Sequence, residues 1–248
     1  FVLLIIAILV SVFAGCGKEK AGGNDDNGED PGPITRHLEY FDDFSDPTSG
    51  WPNETGYSRE MSYEDGEYMI RLSDSYEMTR YVVTKHWLLN EYEVSVKATY
   101  RRGWGLSDIE QPIYGLRFNC TGTLMADQHK FYTFGLYPEN QWFVIARFVD
   151  RSEWDELVPV ISKQSDHIKA AMDEWNELKV KVDHGQAWFY INEHLVHGPL
   201  PIIIQPEGVM VGILASNDRN YCNGKCTDVR FDDFHLIGTE LLNPKPIP

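Results

Sequence analysis

Two pairs of adjacent carboxylates are the first side chains in this sequence that could do chemistry. Asp42 and Asp43 lie near the start of the chain, and Asp232 and Asp233 lie near its end. Calcium binds several such oxygens at about 2.3–2.6 Å. If the segments that carry these pairs are neighbours in the fold, they could hold a structural calcium ion. Otherwise each pair caps a turn or faces water. We predict no other cofactor.

Three histidines form a second group. His184, His194 and His197 are close in sequence, but His194 and His197 straddle a predicted turn or strand start. A helical metal motif requires both histidines on one helical face. We therefore predict solvated surface histidines and no metal site here.

Cysteines form a third group. Cys222 and Cys226 bracket a short loop, and a disulfide between them would clamp that loop in an oxidising compartment. Cys120 would then remain as a buried thiol. A pairing of Cys120 with one of the other two stays open as an alternative. We favour the Cys222–Cys226 bridge, although a loop this short constrains the unfolded chain only modestly.

Sugar recognition uses flat aromatic faces beside a few hydrogen-bonding groups. Trp104 fits this use, because it lies in the loop Arg101–Gly105, where packing does not demand a large aromatic side chain. An exposed tryptophan is unusual. The sequence therefore predicts a ligand contact at Trp104, with folding back over a sheet edge as the alternative.

The strand Trp142–Phe148 is apolar on both of its faces. Its second face carries Phe143, Ile145 and Arg147, where a polar set would be usual. Either a loop covers this second face or it is the floor of a groove. We predict that a ligand site in such a groove uses these three residues together with Arg117. The alternation of its own strand places Arg117 at an outward-facing position.

Strands must position these side chains, because the dominant hydrophobic period after Leu38 is two. Glu93–Tyr100 and Glu177–Val182 alternate between polar and apolar residues, and Asp65-Gly66 is typical of a tight hairpin. The only plausible helix is Ser165–Asp173. About a dozen strands predict an all-β sandwich or jelly roll of two antiparallel sheets, with one short helix at most.

The net charge of the chain limits the classes of partner that it can bind. The chain has 22 Lys and Arg against 38 Asp and Glu, so its net charge is −16. A nucleic-acid binder needs a basic face, and electrostatic docking on anionic lipid needs basic clusters. Both classes are therefore excluded. A negative domain also disfavours strongly anionic polysaccharides, so a neutral glycan is the expected ligand class.

The first residues are typical of an export signal. Residues 1–14 are apolar and uncharged, and as a helix they would span about 21 Å, short of the ~30 Å hydrocarbon core. This length is typical of a signal-peptide h-region. Because Phe1 has no basic segment before it, we expect that the sequence lacks its first few residues.

The segment Phe13–Cys16 resembles the lipobox of bacterial lipoproteins, with Phe13 where leucine is usual. The resemblance implies cleavage before Cys16 and a diacylglyceryl group on its sulfur, so that the lipid anchor is the only membrane contact. Because Gly17 follows, the aspartate that retains some lipoproteins at the inner membrane is absent. The expected location is the bacterial cell envelope, outward-facing or in the outer membrane.

These observations divide the chain into four parts. Residues 1–16 are the lipoprotein signal peptide and lipobox, and 17–37 are a disordered acidic tether rich in Gly, Asp, Asn and Pro. Residues 38–238 are the jelly-roll domain, and 239–248 are a C-terminal tail.

Several landmarks over about residues 39–237 resemble the concanavalin A-like jelly rolls of bacterial exported proteins, which are related to laminin G-like and 3-keto-disaccharide-hydrolase-like domains. The clearest are Phe41–Pro47, Trp51, Trp175–Val180, Phe189–Asn192 and Val229–Phe234. The resemblance implies two stacked antiparallel sheets with adjacent terminal strands. Domains of this kind bind sugars, hydrolyse glycans or have purely structural roles, so the fold alone does not decide the function.

Glu153 and Asp155 are similar to the paired acids of glucanases with this fold, because alternate residues of a strand point to one face. Leu157 stands where a third acid should follow, so we do not predict a catalytic pair. The sequence favours a surface-anchored lipoprotein with a non-catalytic glycan-binding or adhesion module. The alternatives are a glycan-active hydrolase of the 3-keto-disaccharide-hydrolase type, and a structural protein that binds another envelope component.

Overall fold

Strands make up most of the described chain. The computed structural model describes residues 34–56, 59–72, 78–82, 89–101, 112–120, 131–149, 156–203, 209–217 and 227–242. In chain order the strands are β1 (Thr35–Asp42), β2 (Glu54–Thr55), β3 (Arg59–Glu64), β4 (Glu67–Leu72), β5 (Met78–Val82), β6 (Leu89–Arg101), β7 (Pro112–Cys120), β8 (Tyr132–Tyr137), β9 (Trp142–Val149), β10 (Glu156–Gln164), β11 (Asn176–Asp183), β12 (Gln186–Ile191), β13 (His194–Pro201), β14 (Met210–Asn217) and β15 (Thr227–Leu241). A 3₁₀ turn, Pro138–Asn140, joins β8 to β9.

The strands form two antiparallel sheets. In the nine-stranded sheet the order is β13, β12, β11, β6, β15, β4, β3 and β2, and β1 also pairs with β15. In the six-stranded sheet the order is β10, β9, β8, β7, β14 and β5. The predicted all-β class with two antiparallel sheets is confirmed. No helix in the described part is long and apolar enough to cross a membrane.

Apolar side chains from both sheets form the core between them. In β11, Leu178, Val180 and Val182 are buried, while Lys181 between them is exposed. This is the alternation that a sheet with one wet face requires. The six-stranded sheet contributes Leu116, among others, to the same core.

Asp42 anchors an aromatic cluster at one end of this core. Its carboxylate accepts a hydrogen bond from the backbone N–H of Phe44 at 2.8 Å and from Nε1 of Trp51 at 2.9 Å. The Tyr40 hydroxyl donates a third at 3.2 Å. The rings of Phe44 and Trp51 meet edge to face with centroids 5.4 Å apart. Asp42 therefore has a structural role, because three donors already occupy its oxygens.

Residues Ser165–Asp173 form turns, and the predicted helix there is wrong. Side chains from distant strands bind the backbone of this segment. The Asn176 side-chain oxygen accepts from the backbone N–H of Lys169 at 2.9 Å, and the Tyr100 hydroxyl donates to the carbonyl of Ala170 at 3.0 Å. These tertiary hydrogen bonds replace the local ones that a helix would need.

Strand pairing extends past the predicted domain limits of 38 and 238. β1 begins at Thr35 and β15 ends at Leu241, and these two residues are partners in the ladder. The first residues of β1 are exposed, so they lack the apolar alternation that marks a strand in the sequence.

The outer face of the nine-stranded sheet carries a network of charged side chains. Arg230 is 4% exposed, and its guanidinium binds the Asp228 carboxylate at 2.6 and 3.1 Å. Asp228 also pairs with Arg71 at 3.0 Å, and Glu64 pairs with Arg230 at 2.6 Å. A buried ion pair such as Arg230 and Asp228 is weak evidence for net stability, because removing the two charges from water offsets their attraction.

Candidate functional site

The strand β9 presents its two apolar faces to different surroundings. Phe143 and Ile145 are 1% and 0% exposed and pack in the core between the sheets. The prediction that they line an exposed groove is therefore wrong. A sandwich has its core on one face of each sheet, and the sequence of a strand that is apolar on both faces does not show which face that is.

The other face of β9 is the one that points away from the core. We call it, with its neighbours in register, the outer face of the six-stranded sheet. On β9 it carries Trp142, Val144 and Ala146, and their partners on β8 are Tyr137, Gly135 and Thr133. Trp142 is 37% exposed. The pair Trp142 and Tyr137 thus places two aromatic side chains side by side at one end of this face.

A compact turn holds this aromatic pair. Gln141 follows the 3₁₀ turn with a φ of 51°, and its backbone N–H donates to the carbonyl of Pro138 at 2.9 Å. Its side-chain nitrogen donates to the carbonyl of Ile168 at 3.0 Å, and its own carbonyl accepts from the N–H of Ser165 at 2.9 Å. The turn is therefore tied to the segment after β10, which limits the freedom of Trp142.

Arg117 lies on the same outer face, opposite Thr133 on β8 and Gly212 on β14. It is 6% exposed, and its guanidinium carbon lies 3.9 Å from the ring centroid of Phe131. A cation over an aromatic face at this distance is attracted to it. The buried Nε has no hydrogen-bond partner, and no carboxylate of the described residues forms an ion pair with Arg117. A buried donor without a partner is costly, so Arg117 is an unusual group to find on this face.

Arg147 lies apart from Arg117. Arg147 is exposed and is on the same side of β9 as Phe143 and Ile145. Arg117, in contrast, is on the outer face of the six-stranded sheet. The structure therefore does not bring the two arginines together on one face. Trp104 lies outside the described residues, so its role stays a prediction.

Several other predicted residues also lie outside the described part. These are the lipidation residue Cys16, the proposed disulfide partners Cys222 and Cys226, and the acids Glu153 and Asp155. Cys120, the alternative disulfide partner, is described and is fully buried.

The four carboxylates predicted to hold calcium have separate partners. Asp43 accepts hydrogen bonds from the backbone and hydroxyl of Ser45 at 3.1 and 2.7 Å, and these bonds lower its pKa. Asp233 pairs with Lys97 at 2.6 Å. Burial raises the pKa of Asp232, which opposes the charged form that an ion needs. With Asp42 engaged as above, the structure offers no ready cage from these residues, and a bound calcium stays a prediction.

One group of three metal-type side chains does come together among the described residues: Glu91, Asp183 and His184. The His184 ring contacts Glu91 at 3.1 Å through Nε2 and Asp183 through Nδ1. The hydrogen bond to Asp183 and the charge of Glu91 raise the pKa of His184. Contacts of the His184 ring with one exposed and one half-buried carboxylate account for the closeness of these three side chains.

The other two histidines of the predicted surface group lie on β13. The ring of His194 stacks on that of His167 with centroids 4.0 Å apart. Burial and the charge of Lys163 lower the pKa of His197. Neither residue joins a group of metal-type side chains among those the structure describes.

No protein-family model and no curated protein matches the chain. Solved structures do match its fold. A β-glucanase of Bacillus licheniformis superposes with a TM-score of 0.55 at 12% identity, covering 80% of this chain and 97% of that one. The κ-carrageenase of Pseudoalteromonas carrageenovora, solved with an oligotetrasaccharide of κ-carrageenan, gives 0.54 at 10% identity, covering 88% and 100%. The catalytic domain of an endo-1,3-β-glucanase (laminarinase) of Thermotoga petrophila gives 0.52 at 10% identity, covering 85% and 100%.

The fold is a concanavalin A-like jelly roll. The predicted fold class is thereby confirmed. At these identities the likeness establishes the fold and leaves the chemistry of the jelly roll to be argued from its own residues.

The sequence reasoning missed Trp142, Tyr137 and Thr133. Trp142 was visible in the sequence as the aromatic residue that begins the strand Trp142–Phe148. What the sequence did not contain was the register between β8 and β9, which places Tyr137 opposite Trp142. Cross-strand neighbours of this kind depend on pairing and not on sequence spacing.

Proposed function

We propose that the jelly-roll domain binds a glycan on the outer face of the six-stranded sheet. The observation that carries this proposal is the exposed Trp142 beside Tyr137. Arg117, which forms no ion pair with a described carboxylate, lies on the same face. Trp and Tyr rings stack on the apolar face of a sugar ring, and an arginine donates paired hydrogen bonds to hydroxyl or carboxylate oxygens.

A neutral glycan fits this domain better than an acidic one. The net charge of −16 raises a general electrostatic barrier to polyanions. Hydroxyl oxygens of a neutral glycan can accept hydrogen bonds from an arginine. The solved structures of similar fold support a glycan ligand without distinguishing a neutral from an anionic one, because two of the three reported above are named as glucanases and one as a κ-carrageenase.

Glycan hydrolysis is the second candidate, and these comparisons favour it at least as much as binding alone. Glycosidases use two carboxyl groups that flank the scissile bond. The described strand positions on the outer face of the six-stranded sheet carry no Asp or Glu. A hydrolase, including one of the 3-keto-disaccharide type, would therefore need acids such as Glu153 and Asp155, which lie outside the described residues.

Binding and its surface are tested with the variant Trp142→Ala. Laminari- and cello-oligosaccharides serve as neutral probes, and isothermal titration calorimetry measures the affinity. Loss of one stacked indole should weaken binding about tenfold. The control is Phe41→Ala, which removes another exposed aromatic side chain from the other sheet and should leave the affinity unchanged. Equal affinity of the Trp142→Ala variant and the wild type would refute the proposed surface.

Hydrolysis is tested separately by incubating the wild type with the same oligosaccharides and analysing the products by mass spectrometry. Shorter products that Glu153→Gln abolishes would favour the enzyme. Intact oligosaccharides alongside measurable binding would favour the non-catalytic module.

We also propose that the protein is a lipoprotein of the bacterial cell envelope, anchored through Cys16. The support is the apolar run and the lipobox-like segment of the sequence. Cys16→Ser should move the protein from the membrane to the soluble fraction, since the tether has too little apolar area to bind lipid. Lys18→Ala, a change two residues away in the tether, should not. Membrane retention of the Cys16→Ser protein would contradict lipid anchoring.

A further inference from the structure

A depression of about 280 Å³ lies on the outer face of the nine-stranded sheet. We call it the Trp175 depression; it is lined by Lys97, Lys169, Trp175, Glu177, Asn192 and Asp232. Its volume is just below the roughly 300–1,000 Å³ that is usual for small-molecule sites. It has room for a ligand of one or two small rings.

Three adjacent strands form the floor of the Trp175 depression. Glu177 on β11 is the register partner of Lys97 on β6, and Lys97 is in turn the partner of Asp232 on β15. Two carboxylates therefore flank one ammonium group in a row across the sheet. Because central strands carry this row, its spacing is fixed more firmly than a loop could fix it.

The wall of the depression is equally well held. The Asn192 side-chain nitrogen donates to the carbonyl of His167 at 2.7 Å and to the side-chain oxygen of Asn176 at 2.9 Å. Its side-chain oxygen accepts from the backbone N–H of Glu177 at 2.9 Å. Lys169 donates to the carbonyl of Trp175 at 3.1 Å. The wall is preorganised, so little ordering would be needed on binding.

Polar groups remain available inside this rigid frame. The Glu177 carboxylate and the indole N–H of Trp175 make no side-chain hydrogen bond to the described residues. Asp232 uses one oxygen to accept from the backbone N–H of Asp233 at 2.7 Å. Lys97 binds Asp233 with one of its three N–H groups. The depression therefore offers both acceptors and donors around a partly buried aromatic ring.

The charges of the lining balance. Lys97 and Lys169 oppose Glu177 and Asp232 in the lining, and Asp233, which pairs with Lys97, adds a negative charge beside it. An anion would therefore meet more negative than positive groups, and a cation would meet two ammonium groups. Burial, followed by the charge of Asp233, raises the pKa of Asp232. A neutral molecule rich in hydroxyl groups matches this lining, because hydroxyls both donate to carboxylates and accept from ammonium groups.

We propose that the Trp175 depression is a second glycan-binding site, selective for a neutral saccharide. The indole of Trp175 stacks on the apolar face of one sugar ring. Glu177 and Asp232 accept hydrogen bonds from neighbouring hydroxyls, and Lys97 donates to the oxygen between them. This site is on the opposite sheet from the surface that contains Trp142, so it does not depend on that proposal.

The test measures the binding of laminari- and cello-tetraose by nuclear magnetic resonance titration and calorimetry. Trp175→Ala should weaken binding at this site about tenfold, and Glu177→Gln should weaken it severalfold. Glu193→Gln, an exposed change one residue beyond Asn192, is the matched control and should bind as the wild type does. Galacturonate and glucosamine oligomers, which are charged, should bind more weakly than the neutral probes.

The outcomes separate the two surfaces. If Trp175→Ala and Glu177→Gln both bind with wild-type affinity while Trp142→Ala does not, the second site is refuted and the first stands. If the Trp175 and Glu177 variants lose binding and Trp142→Ala keeps it, the second site stands alone. Because Glu177→Gln conserves the side-chain shape, it decides the question even if Trp175→Ala fails to fold. Absence of binding of either neutral tetraose to the wild type refutes both sites.

Discussion

Removal of the Asp42 carboxylate should destabilise the domain more than any comparable change at a neighbouring carboxylate. Asp42→Ala leaves the backbone N–H of Phe44 and the indole N–H of Trp51 without acceptors, and both residues are at least nine-tenths buried. Each buried donor without a partner costs about 1–3 kcal/mol. The sum is about 2–6 kcal/mol.

One effect reduces this sum. Asp42 is 5% exposed, so folding also removes its own carboxylate from water, and the alanine variant is relieved of that cost. The net loss should therefore fall in the lower part of the range, about 2–4 kcal/mol. For a domain of this size 1 kcal/mol shifts the melting temperature by about 2–4 °C, so we expect a fall of roughly 10 °C.

Thermal unfolding followed by circular dichroism measures this shift. Asp42→Asn keeps one acceptor oxygen and should melt between the wild type and Asp42→Ala. Asp43→Ala is the matched control, because Asp43 is exposed and its carboxylate accepts hydrogen bonds from the neighbouring Ser45. If Asp42→Ala and Asp43→Ala melted at the same temperature as the wild type, the buried hydrogen bonds would not have the role argued for them.

Two further predictions concern a close backbone contact and a charged histidine. In Gly115→Ala the new Cβ would lie 2.0 Å from the carbonyl oxygen of Phe134, so soluble expression should be lost, whereas Gly56→Ala meets only ordinary contacts and should express normally. The hydrogen bond to Asp183 raises the pKa of His184, so an NMR titration of the ring should give a pKa above the usual value of about 6.5. Asp183→Asn should lower that pKa. Because the pKa of His184 is higher in the folded than in the unfolded state, the pair of His184 and Asp183 stabilises the fold fully below a pH of about 6.5. This stabilisation is lost as the pH rises through the pKa of the folded state. An unchanged titration in Asp183→Asn would contradict this assignment.

Local sequence patterns were sufficient for most of the architecture. The alternation in Glu177–Val182 is the burial pattern of β11, and Asp65-Gly66 is a hairpin turn with both φ angles positive. Both features depend on neighbours in sequence, through the period of two and the φ > 0 that a tight hairpin requires. The class of the fold follows from many such local signals added together.

The candidate sites were less predictable because they depend on register. Phe143 and Ile145 could be assigned to either face of their strand until β9 was packed against the second sheet. The row of Glu177, Lys97 and Asp232 joins three strands that are far apart in sequence. A one-residue shift in either pairing would send one of these side chains to the opposite face, and no single strand contains that information.

The position of β15 also determines when this domain can fold. The strand contacts β6 on one side and both β4 and β1 on the other, yet it is the last strand of the described chain to be synthesised. Until it emerges, β6 and β4 have edges that expose unpaired backbone groups, and such edges promote association with other chains. Pairings between distant parts of a chain also form slowly. A nascent chain that stops short of Thr227 would therefore keep the open edges that lead to aggregation and would depend on chaperones for its solubility.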